Sequence, residues 1–388
     1  MATSKTRKRR KREQTEYFFD YSLLFIVLFL LGFGLIMIYS ASSYEAFNQF
    51  GDGTYYLKKQ AIAAVMGLVA MAFVANIPYH FWERVTGLAY IVAAVLLVLI
   101  IPFGIKANGA KRWLRVPVIG LSIQPAEIAK IAVILMIALF VCKMGKNIRS
   151  MKGFIMVMAI PIPLAAMILF ITRNMSSAII VMGIALLMAF VADSDYKKFV
   201  VMGLGAVAVI AIVIFAAVSM EAGEGNFRMG RIQAWLDPES DAQGVGFQTL
   251  QALYAIGSGG IWGKGLGQSM QKLEFLPEAQ NDMIFSIICE ELGLFGGIAI
   301  ILMFIMLIWR MMIIANNAPD LYGAMLVVGV IGHIAIQAIL NIAVVTATIP
   351  NTGISLPFIS YGGSSVMFLL IEIGLVLSVA KRIQLKDM

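Results

Sequence analysis

Long apolar runs recur along the whole chain, at residues 22–38, 61–75, 86–101, 131–142, 154–171, 178–192, 199–218, 298–308, 324–345 and 366–380. A bilayer's hydrocarbon core takes roughly 20 apolar residues of helix per crossing, and fewer inside a packed bundle. Lipid offers no partner to a backbone N–H or C=O, so such runs read as helices rather than open strands. The chain is 60% hydrophobic and 13% charged, whereas a soluble domain carries about a quarter charged residues. The fold class is therefore an all-α polytopic membrane protein. Ten transmembrane helices are expected, at about 18–41, 57–77, 81–102, 125–144, 154–172, 176–192, 197–218, 283–309, 321–345 and 365–381.

Charge gives the expected orientation. The net charge is +8, and residues 5–12 read KTRKRRKR. Such a run is also what a solvated tail or a nucleic-acid arm looks like. Directly before a first membrane helix it reads as a cytoplasmic anchor, and the apolar run behind it is too long, with no A-x-A-like site, for a cleavable signal peptide. Residues 1–17 are then a basic cytoplasmic tail, 18–381 the membrane domain and 382–388 a second cytoplasmic tail. The inner loops KMGKNIRSMK at 143–152 and DYKK at 195–198 agree, as does KRIQLK at 381–386. KANGAKRWLR at 106–115 is an exception, with four cations facing out. Residues 219–282 form one large extracytoplasmic loop, Gly-rich and polar, too poor in apolar residues for a core of its own. No internal duplication supports an inverted-repeat transporter. Cys142 and Cys289 lie in apolar runs, and two such cysteines make neither a disulfide framework nor a zinc spacing.

Four constellations stand near the outward helix ends. In LPEAQNDMIFSIICEELG, residues 276–293, Asp282 precedes a helix expected from Met283 and reads either as its N-cap or as a working carboxylate. Glu290 and Glu291 lie two turns deeper, where a charge costs at least ~2.5 kcal/mol. With Glu278, Lys264 and Lys272 they suggest a wet, charged pocket open to the outer face. In QPAEIAK, Pro125 suits a first helical turn, and Glu127 and Lys130 share a helix face, able to pair. Arg112 and Arg115 beside Trp113 suit an anion at the membrane interface. AIGSGGIWGKGLGQS, 255–269, is not a P-loop: Ser258 stands where the first glycine is needed and Gly265 where Ser or Thr is needed. It reads as a turn-rich connection or a backbone cradle for phosphate. PNTGISLPFISYGGSS, 350–365, which contains Ser360, cannot be a regular span and must lie buried in protein or line a cavity. Upstream, His333, Gln337 and Asn341 form one polar stripe suited to interhelical hydrogen bonds. HExxH, CxxC, GxSxG and dinucleotide fingerprints are missing from the sequence.

In order, NGAKRWL with QPAEIAK, GFQTLQALYAIGSGG, GLGQSMQKLEFLPEAQNDMIF and PNTGISLPFISYGGSS resemble the SEDS family (shape, elongation, division and sporulation), whose members include FtsW, RodA and SpoVE. The resemblance spans about 18–381, and GLGQSMQK with the NDMIF step is closer to the FtsW/SpoVE branch than to RodA. It implies a ten-helix peptidoglycan glycosyltransferase that polymerises glycan strands from lipid II. The family's PE-x-x-T-D-F-I-F places its catalytic Asp on Asp282, with Asn281 for Thr and Met283 for Phe. Its QPSExxK matches Glu127 and Lys130, with Ala126 for Ser. Its PDLGT appears as RNMSS at 173–177, so the family's Asp is Asn174 here and no role is carried over to it.

The resemblance further implies an inverting transfer from an undecaprenyl-pyrophosphate-linked glycan to the GlcNAc 4-hydroxyl of lipid II, in septum synthesis at division or sporulation. Asp282 is the expected general base. Arg112, Lys130, Arg228, Arg231 and Lys272 are the expected cations for the leaving pyrophosphate, with Glu127 and Ser360 supporting. A divalent cation, Mg or Mn, could share that task, though no cofactor is required by the sequence. The implied partners are a class B penicillin-binding transpeptidase and other division or sporulation proteins, with no nucleic acid. The implied location is the bacterial plasma membrane, with an extracytoplasmic site. Two rivals are a lipid II flippase, which would carry charge through both leaflets, and a scaffold for division proteins, which would leave Asp282 dispensable.

Overall fold

The computed structural model describes residues 20–107, 110–115, 122–193, 195–205, 208, 232, 235–238, 246–273 and 275–383. The basic tail, Arg228 and Arg231 lie outside the described residues. Helices α1 (Tyr21–Phe50), α2 (Tyr55–Asn76) and α3 (Tyr79–Phe103) lead into a small antiparallel sheet of β1 (Gly104–Ala107), β2 (Ala110–Arg115) and β3 (Ser122–Ile123). Then follow α4 (Pro125–Met144), α5 (Met151–Ala159), α6 (Ile162–Phe170) and α7 (Met175–Ala192). After the large insert come α8 (Phe247–Gly259), α9 (Ile284–Asn316), α10 (Leu321–Val345) and α11 (Gly363–Ala380).

Nine segments among the described residues are long and apolar enough to cross a membrane, with α5 and α6 together forming one of them. The tenth expected span, 197–218, lies largely outside the described residues, although 196–205 is helical. The 154–172 span is two helices rather than one. Pro161 has no N–H to give, and the helix stops before it and restarts after it. The α10 and α11 helices form the centre: 72% and 67% of their apolar stretches are buried, against 22% for peripheral α3. Close approach at small residues lets α11 lie along α2. A Cβ on Gly374 would come within 2.8 Å of the Met71 carbonyl oxygen, the small-residue logic of helix packing in lipid.

One end of the bundle is closed by ion pairs. Asp20 caps α1 through the Leu23 N–H at 2.8 Å and meets Arg310 at 2.9 Å. Asp320 caps α10 through the Gly323 N–H and also accepts from the Tyr79 hydroxyl at 2.5 Å. Asp193 pairs with Lys198 at 2.6 Å. Burial pushes the Asp193 carboxyl up, but the Lys198 ammonium and the Asp195 N–H outweigh it and hold the group below the usual range.

At 33 residues, about 50 Å, α9 is longer than a bilayer core. It is broken at Gly293, which has φ 68° and ψ −169°. The carbonyls that the break releases are taken up by the glycine-rich stretch: Lys264 N–H donates to Glu290 O and Gly265 N–H to Glu291 O, both at 2.9 Å. In return Leu294 N–H donates to Gly260 O at 2.9 Å and Phe295 N–H to Ile261 O at 3.2 Å. The two backbones approach so closely that a Cβ on Gly293 would overlap the Ile261 carbonyl, and one on Gly263, itself at φ 78°, would overlap that of Glu291.

Two predictions concern this architecture. Gly293→Ala should lower the melting temperature in detergent by at least ~1 °C, since a non-glycine residue at such a positive φ with extended ψ costs about 1–3 kcal/mol before any overlap is counted. Gly32→Ala, with nothing within 4 Å of the added carbon, should leave it unchanged. At the other end, folding depresses the Asp193 pKa. The Asp193–Lys198 contribution is therefore present above the unfolded carboxylate pKa and lost as pH falls through the folded one. Melting temperatures of the wild type and Lys198→Met, separated at neutral pH, should converge in acid.

Candidate active site

Opposite the ion-paired end, several irregular polar segments among the described residues converge. The 346–362 stretch has no regular structure, as its prolines and glycines require, and it is laced in place from several sides. From α10, Gln337 Nε2 donates to the Ser355 carbonyl at 3.0 Å, and Asn341 Nδ2 donates to the Ile354 carbonyl at 2.7 Å. From α2, Gln60 accepts from the Gly362 N–H at 3.0 Å and donates to the Ser360 carbonyl at 3.3 Å. The Ser176 hydroxyl, in the first turn of α7, donates to the Thr352 carbonyl. Gln248 on α8 bridges outward, donating to Pro277 O at 3.1 Å and accepting from Asn351 Nδ2 at 2.7 Å. Trp235 Nε1 reaches Ala347 O at 2.8 Å.

Asp282 lies against this stretch. Asn341 Nδ2 donates to its backbone carbonyl at 2.7 Å, and Tyr361 N–H donates to Gln280 O at 2.9 Å. A Cβ on Gly353 would sit 3.6 Å from Asp282 Oδ2, so the carboxylate faces the PNTG turn. The side chain is not the N-cap of α9. The helix starts at Ile284, and the cap position, Met283, makes no side-chain cap. Asp282 is half-buried, placed at the junction of the α9 approach and the 350–363 segment.

Ser360 belongs to the same junction but faces inward. It is buried, and its Oγ accepts from the Leu356 N–H at 2.7 Å, closing the turn that contains Phe358 at φ 63°. Glu127 and Lys130 pair at 2.8 Å, with both side chains almost wholly buried. Glu127 Oε2 is buried and receives no hydrogen bond from the described residues. The Ser364 hydroxyl donates to the Ser122 carbonyl of β3, which ties the start of α11 to the strand leading into α4. Arg112 on β2 donates to the Arg173 carbonyl at 3.2 Å, so the basic strand reaches the entry to α7.

Lys272 is committed elsewhere. Its Nζ lies 2.8 Å from Glu291 Oε1 and 3.1 Å from Ser40 Oγ of α1. Glu290 accepts from Lys264 Nζ at 2.7 Å, from Met270 N–H at 3.1 Å and from the Ser269 hydroxyl. Both carboxylates are fully buried. The expected wet pocket open to the outer face is therefore not what these residues form. They make a closed, ion-paired seam, because at membrane depth a charge is tolerated when fully partnered. The glycine-rich stretch likewise spends the Lys264 and Gly265 N–H groups on the backbone carbonyls of Glu290 and Glu291 rather than on a phosphate.

Several residues of this region have no role assigned from the sequence. Gln60 is a lone amide in the apolar stretch of α2, Gln248 lies on an amphipathic helix, and Ser176 follows the Asn174 cap of α7, which accepts from Ser177 N–H at 3.0 Å. A solitary amide inside an apolar run is the one signal that could have marked Gln60 in advance. Among the described residues no three His, Cys, Asp or Glu side chains converge as a metal-holding group.

Fold and site together define a multi-pass membrane protein whose polar chemistry is gathered at one end around a carboxylate and an irregular, buried loop. Over residues 21–385 the chain matches the FtsW/RodA/SpoVE family, described as cell cycle protein, and it belongs to that family. It is 42% identical over 366 residues to "Stage V sporulation protein E" of Bacillus subtilis, covering 93% of this chain and 97% of that one. It is 40% identical over 370 residues to the "Probable peptidoglycan glycosyltransferase FtsW" of Trichlorobacter lovleyi, covering 95% and 94%. Its fold matches a chain from a structure of a peptidoglycan synthase complex, described as coordinating polymerization and crosslinking, with TM-score 0.74 at 22% identity over 93% and 97% of the two chains. It also matches the rod shape determining protein RodA of Thermus thermophilus, with TM-score 0.68 at 23% identity over 94% and 97%.

The closed seam can be tested directly. Lys272→Met leaves Glu291 buried beside an apolar group and should destabilise the protein by ~3–5 kcal/mol. The double variant Lys272→Met with Glu291→Gln should recover most of that loss in thermal melts.

Proposed function

We propose that this protein is a peptidoglycan glycosyltransferase that polymerises glycan strands from lipid II, with Asp282 as its general base. The observation that carries this reading is the placement of Asp282. It is a half-buried carboxylate where the α9 approach meets the PNTG turn, at the end of the bundle where the 346–362 stretch is held by polar side chains from several helices. The names of the curated relatives and the family membership support the reaction class.

A sugar hydroxyl is a weak nucleophile until its proton leaves. In the proposed step the Asp282 carboxylate takes the proton of the acceptor 4-hydroxyl. The hydroxyl oxygen bonds to the donor's anomeric carbon as the bond from that carbon to the pyrophosphate oxygen breaks. Attack from the opposite face inverts the centre. The departing pyrophosphate gathers negative charge, which fixed cations stabilise. Arg112 and Lys130 remain assigned to that role, with Glu127 orienting Lys130. Arg228 and Arg231 are assigned to it from the sequence. Lys272, ion-paired to Glu291, acts at a distance by holding the 264–273 segment against α9. Ser360 supports the loop fold. A divalent ion at this end would take most of its ligands from water and substrate oxygens, as Mg2+ does, and no step here depends on one.

The substrate's lipid tail requires a site at a membrane interface. We place the site end on the extracytoplasmic side. Lys143, Lys146, Arg149, Lys152, Lys198 and Lys381 gather at or near the opposite end, as the positive-inside tendency favours for the cytoplasm. A class B penicillin-binding transpeptidase is the proposed partner, and division or sporulation the proposed setting.

In proteoliposomes with labelled lipid II, Asp282→Asn should lower polymer formation by a factor of ~10²–10⁴ without loss of insertion or folding. Wild-type rates in that variant would overturn the assignment. Undiminished polymerisation with the site end labelled from the cytoplasm would overturn the orientation.

A further inference from the structure

We infer that Asn341 is a positioning residue that sets the Asp282 carboxylate against the PNTG turn through a two-armed amide clamp; this rests on the reading of Asp282 as the general base. The Asn341 side chain is fully buried in α10, a central helix of the bundle. Its single amide nitrogen donates two hydrogen bonds, one to the Asp282 carbonyl and one to the Ile354 carbonyl, each 2.7 Å long. An amide nitrogen has two hydrogens, and both are used on segments far apart in sequence. The clamp therefore fixes the distance between the turn that carries the base and the segment that forms the opposite wall of the site.

The arrangement has a cost. With the nitrogen committed twice, Asn341 Oδ1 is buried with no partner among the described residues, and an unmade buried hydrogen bond costs about 1–3 kcal/mol. An apolar residue would avoid that cost but leave two carbonyls unheld. Gln337, one turn earlier on the same face, repeats the pattern: Nε2 goes to the Ser355 carbonyl at 3.0 Å, and Oε1 is buried without a partner. Two successive turns of one helix thus give up an acceptor in order to grip consecutive residues, Ile354 and Ser355. Deeper again, His333 Nδ1 lies 2.8 Å from Glu372 Oε2 of α11, with both side chains wholly buried. This pair ties the helix carrying the clamp to the helix that follows the clamped segment. The stripe read in the sequence as helix-to-helix bonding is, over its last two members, helix-to-loop bonding aimed at the site.

A misplacement of about 1 Å at a reacting group costs on the order of 10²-fold in rate. The test compares purified wild type, Asn341→Leu, Asn341→Ser and Asp282→Asn in lipid II polymerisation, with kcat, KM and thermal melts for each. Asn341→Leu deletes both donors at similar volume, and Asn341→Ser keeps one. The expected result is a loss of ~10–100-fold in kcat for Asn341→Leu and a smaller loss for Asn341→Ser. KM should stay within about twofold, as a positioning role requires. The acid limb of the pH–rate profile should not move, because the base itself is unchanged. If both variants keep wild-type kcat while Asp282→Asn is inactive, the clamp is overturned and the base assignment stands. If Asp282→Asn is active, the base assignment fails on its own. A loss of folding in both Asn341 variants, or parallel changes in KM and melting temperature, would overturn positioning in favour of a structural role.

Discussion

The structure depends on a reciprocal exchange of backbone hydrogen bonds where α9 breaks at Gly293. In lipid a broken helix exposes carbonyls and N–H groups that nothing nearby can satisfy. Here the 259–265 stretch supplies the missing partners from outside the helix, two in each direction. The break is therefore not a defect. It lets a segment of α9 separate from the long membrane-crossing part and brings Asp282 to the rim. The two ion pairs beside it, Lys264–Glu290 and Lys272–Glu291, carry charge into the same seam. Each lies where removal of one partner would strand a buried charge. The seam is accordingly rigid in a specific sense: its alternatives are all unpaired.

From this seam the site follows in a short chain of contacts. The break orients the 277–283 approach, Asn341 and the Gln280 carbonyl join that approach to the 350–363 segment, and Gln60 and Ser176 hold the segment from α2 and α7. Three separate helices and the 277–283 approach thus converge on a stretch with no regular structure of its own. An irregular backbone at the membrane boundary needs such support. Support from four sides also leaves it few other conformations, which is the condition for a preorganised site.

Much of this was legible in the sequence, and the remainder divides by range. Local rules served well. The apolar runs marked the spans, the i, i+3 spacing marked the Glu127–Lys130 pair, and the prolines and glycines of 350–363 marked an irregular segment. Local rules also had limits. The basic strand pair went unread as a hairpin, although Ala107 pairs with Ala110 around an Asn-Gly step at 108–109, a strong turn signal. The break at Pro161 was likewise available from proline chemistry alone. Other features were beyond any local rule. The partners of Glu290 and Glu291 lie about 20 residues upstream in the loop and on α1, so the two carboxylates read as a wet pocket. The helix Phe247–Gly259 is stabilised by packing on α9 rather than by an apolar run of its own.

Asp282 shows why the local and distant readings must be separated. A carboxylate one residue before an apolar run satisfies the description of a helix cap, and the local rule cannot say otherwise. The structure replaces the cap with a contact to a turn 70 residues away, near Gly353. A cap would direct the carboxylate oxygens at the helix's own N–H groups. Turned toward Gly353 instead, the carboxylate borders a residue with no side chain. The bare glycine leaves room for an added carbon 3.6 Å from the acid, and the proposed role as a general base asks for room of that kind more than for a helix.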